Sequence, residues 1–210
     1  MYQWIDKDDK NFPESLGHIG YPPMGLFYEG DISLLKQKSI AIVGTRNMSE
    51  YGRMVTEKFA RELSKKYVIV SGLARGVDRV AHESCLASGG KTIAVLAHGL
   101  DMTYPPEHSE LRARIVRSGG LILSEYPEGT TLTKQHLALR NRIVVGVSGA
   151  VLVTESPKSS GTKITVGFAA NAGLDVYVIP GPINDPTYEG SGEIIRDGGI
   201  LISDPGDIVL

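Results

Sequence analysis

The stretch Ile40-Ala-Ile-Val-Gly-Thr-Arg46 decides how the rest of the chain is read. An apolar, β-branched run stops at a glycine, and a hydroxyl and a guanidinium follow at once. The run has the character of a buried strand. Gly44 lets the backbone turn tightly and approach a ligand closely. Thr45 and Arg46 then stand at the carboxyl end of a strand, where open α/β sheets bind their ligands. Arg46 suits a phosphate, because its planar fork donates two hydrogen bonds at once. A strand, a turn and a solvated arginine is the plainer reading of the same residues.

The pattern recurs twice. Tyr67-Val-Ile-Val-Ser-Gly-Leu-Ala-Arg-Gly-Val-Asp78 is another apolar run, ending in Ser71 and Gly72 with Arg75 and Gly76 in the turn. Ala150-Val-Leu-Val-Thr-Glu155 is a third, and it leads into Ser156-Pro-Lys-Ser-Ser-Gly-Thr-Lys163. Three strand ends with small, hydroxylated and cationic residues point to one crevice built for an anion. Backbone amides and helix amino ends there add partial positive charge.

Working outward, strands and helices alternate. The apolar runs predict strands over 39–44, 67–72, 91–97, 121–126, 150–155, 175–180 and 200–202. Helical spacing and end signals predict helices over 49–66, 77–88, 106–118, 134–147, 161–172 and 193–197. Ser49 is placed to cap the first, whose Val55, Phe59 and Leu63 share one face. Near-continuous Val, Ile, Ala and Leu runs are the signature of a parallel sheet covered on both faces. The expected fold is α/β: a Rossmann-like, doubly wound, mostly parallel sheet with helices on both faces. Residues 1–38, with Pro13, Pro22 and Pro23, read as an irregular lead-in packing on a core of residues 39–210.

A chain of 210 residues fits one α/β domain. Its 41% hydrophobic and 22% charged content places it among soluble globular proteins. No apolar stretch approaches the ~20 residues that span a bilayer, so no membrane partner is expected. The start, Met1-Tyr-Gln-Trp-Ile-Asp-Lys-Asp-Asp9, lacks the basic and apolar regions of a signal peptide. One cysteine excludes an internal disulfide and suits a reducing compartment; the cytoplasm is the expected location. The net charge of −2 conceals an asymmetry. Residues 1–31 hold six acids against two lysines, a balance of −4, and the remainder carries +2. Within that remainder, 134–142 holds Lys134, Arg140 and Arg142 and no acid. A local basic patch on a near-neutral body steers a polyanion, although each such cation is by itself an ordinary surface charge.

Several chemistries lack their motif. Gly44 is followed by Thr45 and Arg46, so the dinucleotide fingerprint is missing. Gly161-Thr-Lys163 lacks the P-loop order. The five histidines are scattered and Cys85 stands alone, so no metal site is expected; His82 and Cys85, three residues apart on one helix, read as core. No nucleophile elbow appears. Asp101, Glu125 and Glu155 lie near strand ends, where a pair would serve acid–base work but where capping and loop hydrogen bonding are the commoner use.

The motifs resemble a family when taken in order. Ile-Val-Gly-Thr-Arg46, Ser71-Gly-Leu-Ala-Arg-Gly-Val-Asp-Arg-Val-Ala-His82, Thr92-Ile-Ala-Val-Leu96, Gly99-Leu-Asp-Met-Thr-Tyr-Pro105, Leu123-Ser-Glu-Tyr-Pro127 and Arg140-Asn-Arg-Ile143 follow one another, as do Ser160-Gly161 with Ile164-Thr165 and Pro180-Gly181. The whole resembles the Rossmann-like domain of the DprA/Smf DNA-processing proteins. That resemblance implies a non-enzymatic, homodimeric protein without cofactor. It implies binding of single-stranded DNA without sequence preference during natural transformation, and transfer of that DNA to a RecA-type recombinase. By position, Gly44, Thr45 and Arg46 match the phosphate-gripping turn. Lys134 precedes by three residues the base-contact position, occupied here by Leu137. Arg140, Asn141 and Arg142 match the Arg-Asn-Arg phrase. The full candidate site adds Ser71, Gly72, Arg75, Ser160, Gly161, Thr162 and Lys163.

The chain departs from the family pattern in places. Leu137-Ala138 stands where Phe-Pro is frequent, which removes a stacking platform worth ~1–3 kcal/mol per base. Thr162-Lys163 replaces Ser-Leu, and Gly192 replaces asparagine. The flanking helical and winged-helix domains of the family have no counterpart in these residues, which reads as an excised core or a minimal form. Two other functions use the same crevice. One is a sensor of a small nucleotide. The other is an enzyme like the nucleoside-monophosphate phosphoribohydrolases, whose Pro-Gly-Gly-x-Gly-Thr-x-x-Glu frame is matched by Pro157-Lys-Ser-Ser-Gly-Thr-Lys-Ile-Thr165 with the glutamate replaced. Loss of that carboxylate removes the group suited to an oxocarbenium charge.

Overall fold

Alternation of side chains across each apolar run sends one half of every central strand to each face of a nine-stranded sheet. A computed structural model describes residues 2–210. In chain order the strands are β1 (Gln3–Asp6), β2 (Gly25–Gly30), β3 (Ser39–Val43), β4 (Val68–Ser71), β5 (Thr92–Leu96), β6 (Leu121–Ser124), β7 (Val151–Val153), β8 (Val176–Val178) and β9 (Ile200–Leu201). The helices are α1 (Glu50–Leu63), α2 (Val77–Ala87), α3 (Ser109–Arg117), α4 (Lys134–Gly146), α5 (Thr162–Asn171) and α6 (Glu189–Arg196). Ala41 and Val43 of β3 face a core with Ile143 and Val144 of α4, Ala169 of α5 and Ile194 of α6. Ile40 and Ile42 face the opposite layer, with Val55, Phe59 and Leu63 of α1 and Ala81 and Cys85 of α2. Ile115 of α3 extends that second layer over Ala94 and Ile122. Burial of each such side chain contributes roughly 1.5–3 kcal/mol.

The strand order is β1-β2-β6-β5-β4-β3-β7-β8-β9. The seven strands from β3 to β9 pair in parallel, as their apolar runs predict. From β3 the chain moves outward through β4, β5 and β6. From β7 it moves the other way through β8 and β9. The loops leaving β3 and β7 therefore diverge, and a crevice opens between the carboxyl ends of these neighbours.

Three elements differ from the sequence reading. The lead-in is not irregular throughout: β1 pairs with β2, and β2 with β6, both antiparallel. Ile5 and Leu26 point into the core, and pairing covers the otherwise bare edge of β6. The helix expected over 106–118 begins as a 3₁₀ turn, Pro106–His108. The helix expected over 193–197 starts earlier, at Glu189; Gly190, Ser191 and Gly192 are poor helix formers and hide it. No helix of the described residues is long and apolar enough to cross a membrane.

Candidate functional site

The crevice at the β3/β7 switch has a volume of about 390 Å³. The β3–α1 turn contributes Gly44, Thr45 and Arg46, the β4–α2 turn Gly72, and the first turn of α2 Asp78. From α4 come Lys134, Leu137, Ala138, Arg140 and Asn141. The β7–α5 loop supplies Ser160, Gly161 and Thr162. Arg46 and Lys134, 88 positions apart in the chain, thus line one cavity. Both are exposed. Three cations, Arg46, Lys134 and Arg140, face a single carboxylate, Asp78.

Arg140 forms the floor. It is buried, and its Nη1 donates to the Val95 carbonyl at 2.6 Å. A Cβ at position 72 would overlap its guanidinium, so a larger residue in that turn would displace Arg140 from its seat. Burial lowers the Arg140 pKa, with Asp78 opposing and Arg46 adding to the shift. The mutual effect of two guanidiniums reflects a local positive field. Gly44 has a different reason for being glycine. A Cβ there would stand 2.6 Å from Val77 Cγ2 and 2.8 Å from the Glu155 carbonyl oxygen; the constraint is packing between strand ends.

The helix amino ends around the crevice are not equivalent. At α1, the Ser49 amide and hydroxyl donate to the buried Glu155 carboxylate at 3.0 and 2.8 Å, and Ser49 Oγ accepts from the Gly52 amide at 3.0 Å. Beside α2, the Asp78 carboxylate accepts from the amides of Gly72 and Ala74 at 3.0 and 3.3 Å. At α4, Thr133 Oγ1 accepts from the His136 amide. The α5 end has Gly161 at the cap; its first amide, that of Thr162, donates to Ser160 Oγ at 3.2 Å, and Gly161 and Thr162 line the crevice. Among the described residues no carboxylate accepts from the α5 amides, and a helix dipole without a compensating negative charge favours an anion.

Four expected site residues lie outside the crevice. Ser71 is buried and donates to the Ile42 carbonyl at 2.7 Å. Arg75 pairs with Glu107 at 2.6 Å and faces an adjoining concavity that shares Arg46. Arg142 is buried and its Nη2 donates to both oxygens of Glu125 at 2.6 and 2.8 Å. Lys163 pairs with Glu193 of α6. Of the three strand-end carboxylates, Asp101 accepts from the Gly129 amide at 3.1 Å, Glu125 holds Arg142, and Glu155 holds Ser49. None of them lines the crevice. Thr165, in the position of the missing glutamate, does line it. Asp78, Ala138 and Thr165 are crevice residues absent from the sequence-derived set; an acid in the first turn of α2 was the available signal for Asp78.

His82 and Cys85 are buried in the core. His82 Nδ1 lies 2.7 Å from Thr92 Oγ1, and burial pushes its pKa down to about 3. The Cys85 thiol is pushed up to about 12, chiefly by burial. Among the described residues no group of three or more His, Cys, Asp or Glu side chains is placed to hold a metal.

Known proteins share this architecture. The family model for DNA recombination-mediator protein A matches residues 3–210. The chain is 40% identical over 201 residues to DNA processing protein DprA of Streptococcus pneumoniae, covering 96% of this chain and 71% of that one. It is 37% identical over 206 residues to protein Smf of Escherichia coli, covering 98% of this chain but 55% of that relative. The X-ray structure of the pneumococcal protein superposes with a TM-score of 0.93 at 39% identity, over 98% of this chain and 72% of the other. A Helicobacter pylori DNA processing protein A structure, described as showing a unique single-stranded DNA binding mode, superposes at 0.88 with 31% identity, over 98% and 94%. With eight motifs in register, the same doubly wound sheet and a match over nearly its whole length, the chain belongs to the DNA recombination-mediator protein A family, that of the DprA and Smf proteins.

Proposed function

We propose that this chain binds single-stranded DNA along the β3/β7 crevice without sequence preference. In that role it shields DNA in natural transformation and passes it to a RecA-type recombinase, acting in the cytoplasm as a homodimer. The observation that carries the reading is the convergence of Arg46 and Lys134 on one cavity. Neither side chain has a hydrogen-bond or ion-pair partner among the described residues, whereas Arg75, Arg142 and Lys163 each have a glutamate. A strand offers one charge per phosphate, and unpaired cations bind it with release of counterions. Contacts to backbone phosphates carry no sequence information. The H. pylori relative's single-stranded DNA binding mode supports the same ligand here.

A volume of about 390 Å³ is also that of a small-ligand pocket, so a mononucleotide is the competing occupant. Labelled oligothymidylate is titrated at two salt concentrations, with duplex and mononucleotide as competitors. The strand reading requires displacement by mononucleotide only at far higher concentration than by unlabelled strand. Equal potency would assign the crevice to a small nucleotide. The one carboxylate at the crevice, Asp78, already accepts two backbone amides, which gives glycosidic hydrolysis no free acid there. Release of base from nucleoside monophosphates would reverse that view.

A further inference from the structure

The wall of the crevice formed by the β7–α5 loop hangs from α6. The Ser156 amide donates to Ser191 Oγ at 3.0 Å, and the Ser191 amide donates to the Ser156 carbonyl at 2.9 Å. Both serines are fully buried, so this clasp fixes the loop against α6 without help from charge. Two lysines flank the lining residues of that loop. Lys158 lies between Pro157 and Ser159, and Lys163 between Thr162 and Ile164; all four neighbours line the crevice. The lysines themselves do not. Lys158 Nζ sits 2.9 Å from Glu189 and 3.9 Å from Glu193, and Lys163 is bonded to Glu193.

We propose that Glu189 and Glu193 of α6 limit the affinity of the crevice for a phosphodiester strand by drawing Lys158 and Lys163 away from it. The proposal rests on the single-strand reading above and names the residues that set its strength. Structural need does not explain the carboxylates, because the buried serine clasp already joins the two segments. Ion pairs at the surface are weak and screened by salt, so neutralising the carboxylates costs the fold little and leaves each lysine free to reach a phosphate. Arg46 and Lys134 have no such competitor and hold the strand in the protein as it stands. The arrangement leaves two potential contacts unused, which keeps a bound strand releasable to the next protein in the process.

The test measures oligothymidylate binding by anisotropy across a salt series, with thermal melts to verify folding. The double variant Glu189→Gln/Glu193→Gln is expected to bind roughly threefold to tenfold tighter. Its salt slope should steepen by about 1.4, the value for two added single-strand phosphate contacts. Adding Lys158→Ala and Lys163→Ala to that variant should return affinity and slope to the starting values. Glu62→Gln, which frees Lys65 beyond the far end of α1, should change neither. Unchanged affinity in the double variant, a gain that survives loss of the two lysines, or an equal gain from Glu62→Gln would each overturn the proposal. Arg46→Ala in the double-variant background separates the two levels: weakened binding keeps the strand reading, and undiminished binding removes it together with this inference.

Discussion

The amino ends of α1 and α5 follow adjacent strands and face the same end of the sheet, and each has a serine hydroxyl on one of its amides, yet only one is met by a carboxylate. At α1 a buried glutamate and a serine occupy the terminal amides. At α5 the cap is a glycine with nothing within 4 Å of the Cβ it lacks. The cations divide in the opposite sense: Arg46, beside the carboxylate-held end, has no partner, whereas Lys158 and Lys163, beside the other, are paired to α6. Each side of the crevice thus offers one kind of attraction, a guanidinium on one wall and a helix dipole on the other. A strand lying between them meets both.

Substitutions that interchange these features test the contrast. Arg46→Ala should have the largest effect on binding, about 30-fold weaker for loss of a charged hydrogen-bond donor worth ~2 kcal/mol. Its salt slope should be shallower by about 0.7, whereas Lys163→Ala in the unaltered protein should change far less. Equal losses for the two would break the contrast between a free and an engaged cation. Glu155→Gln should cost about 2 kcal/mol of stability by weakening the bonds to Ser49, which for a chain of this size is a fall of about 5 °C in melting temperature. Little change in DNA affinity should accompany it, since Glu155 faces α1 and not the crevice. Gly161→Asp should weaken binding about tenfold by placing a carboxylate at the α5 end of the crevice, while thermal stability holds, since a side chain at position 161 has open space. Undiminished affinity in that variant would make the α5 end as irrelevant as that of α1. Leu137→Phe should give the smallest change, about fivefold tighter, by restoring a stacking surface.

Local pattern made the parallel sheet legible: all seven parallel strands and six helices follow from apolar runs and their end signals. β1 was hidden because only Ile5 of its four residues is buried, too little alternation to register, and its pairing partner lies some twenty positions on. In the site, Gly44, Thr45, Arg46, Gly72, Lys134, Leu137, Arg140, Asn141, Ser160, Gly161 and Thr162 share one cavity. Arg75, Arg142 and Lys163 lie outside that cavity for a common reason. A cation's behaviour depends on whether a carboxylate reaches it, and Glu107, Glu125 and Glu193 arrive from other segments of the fold. Sequence shows the charge and its neighbours along the chain, not its neighbour across space.

The antiparallel attachment of β2 to β6 has a consequence for long-range forces. Five of the six acids in the first 31 residues, Asp6, Asp8, Asp9, Glu29 and Asp31, lie on or beside β1 and β2 at the edge of the sheet. Four inter-strand steps separate β2 from β3, a distance of roughly 19 Å at ~4.8 Å per step. At physiological ionic strength the screening length is about 8 Å, so a polyanion approaching the β3 side hardly feels those acids. In dilute buffer, where screening extends to about 30 Å, the same acids oppose its approach, and they turn the molecule so that its positive side leads.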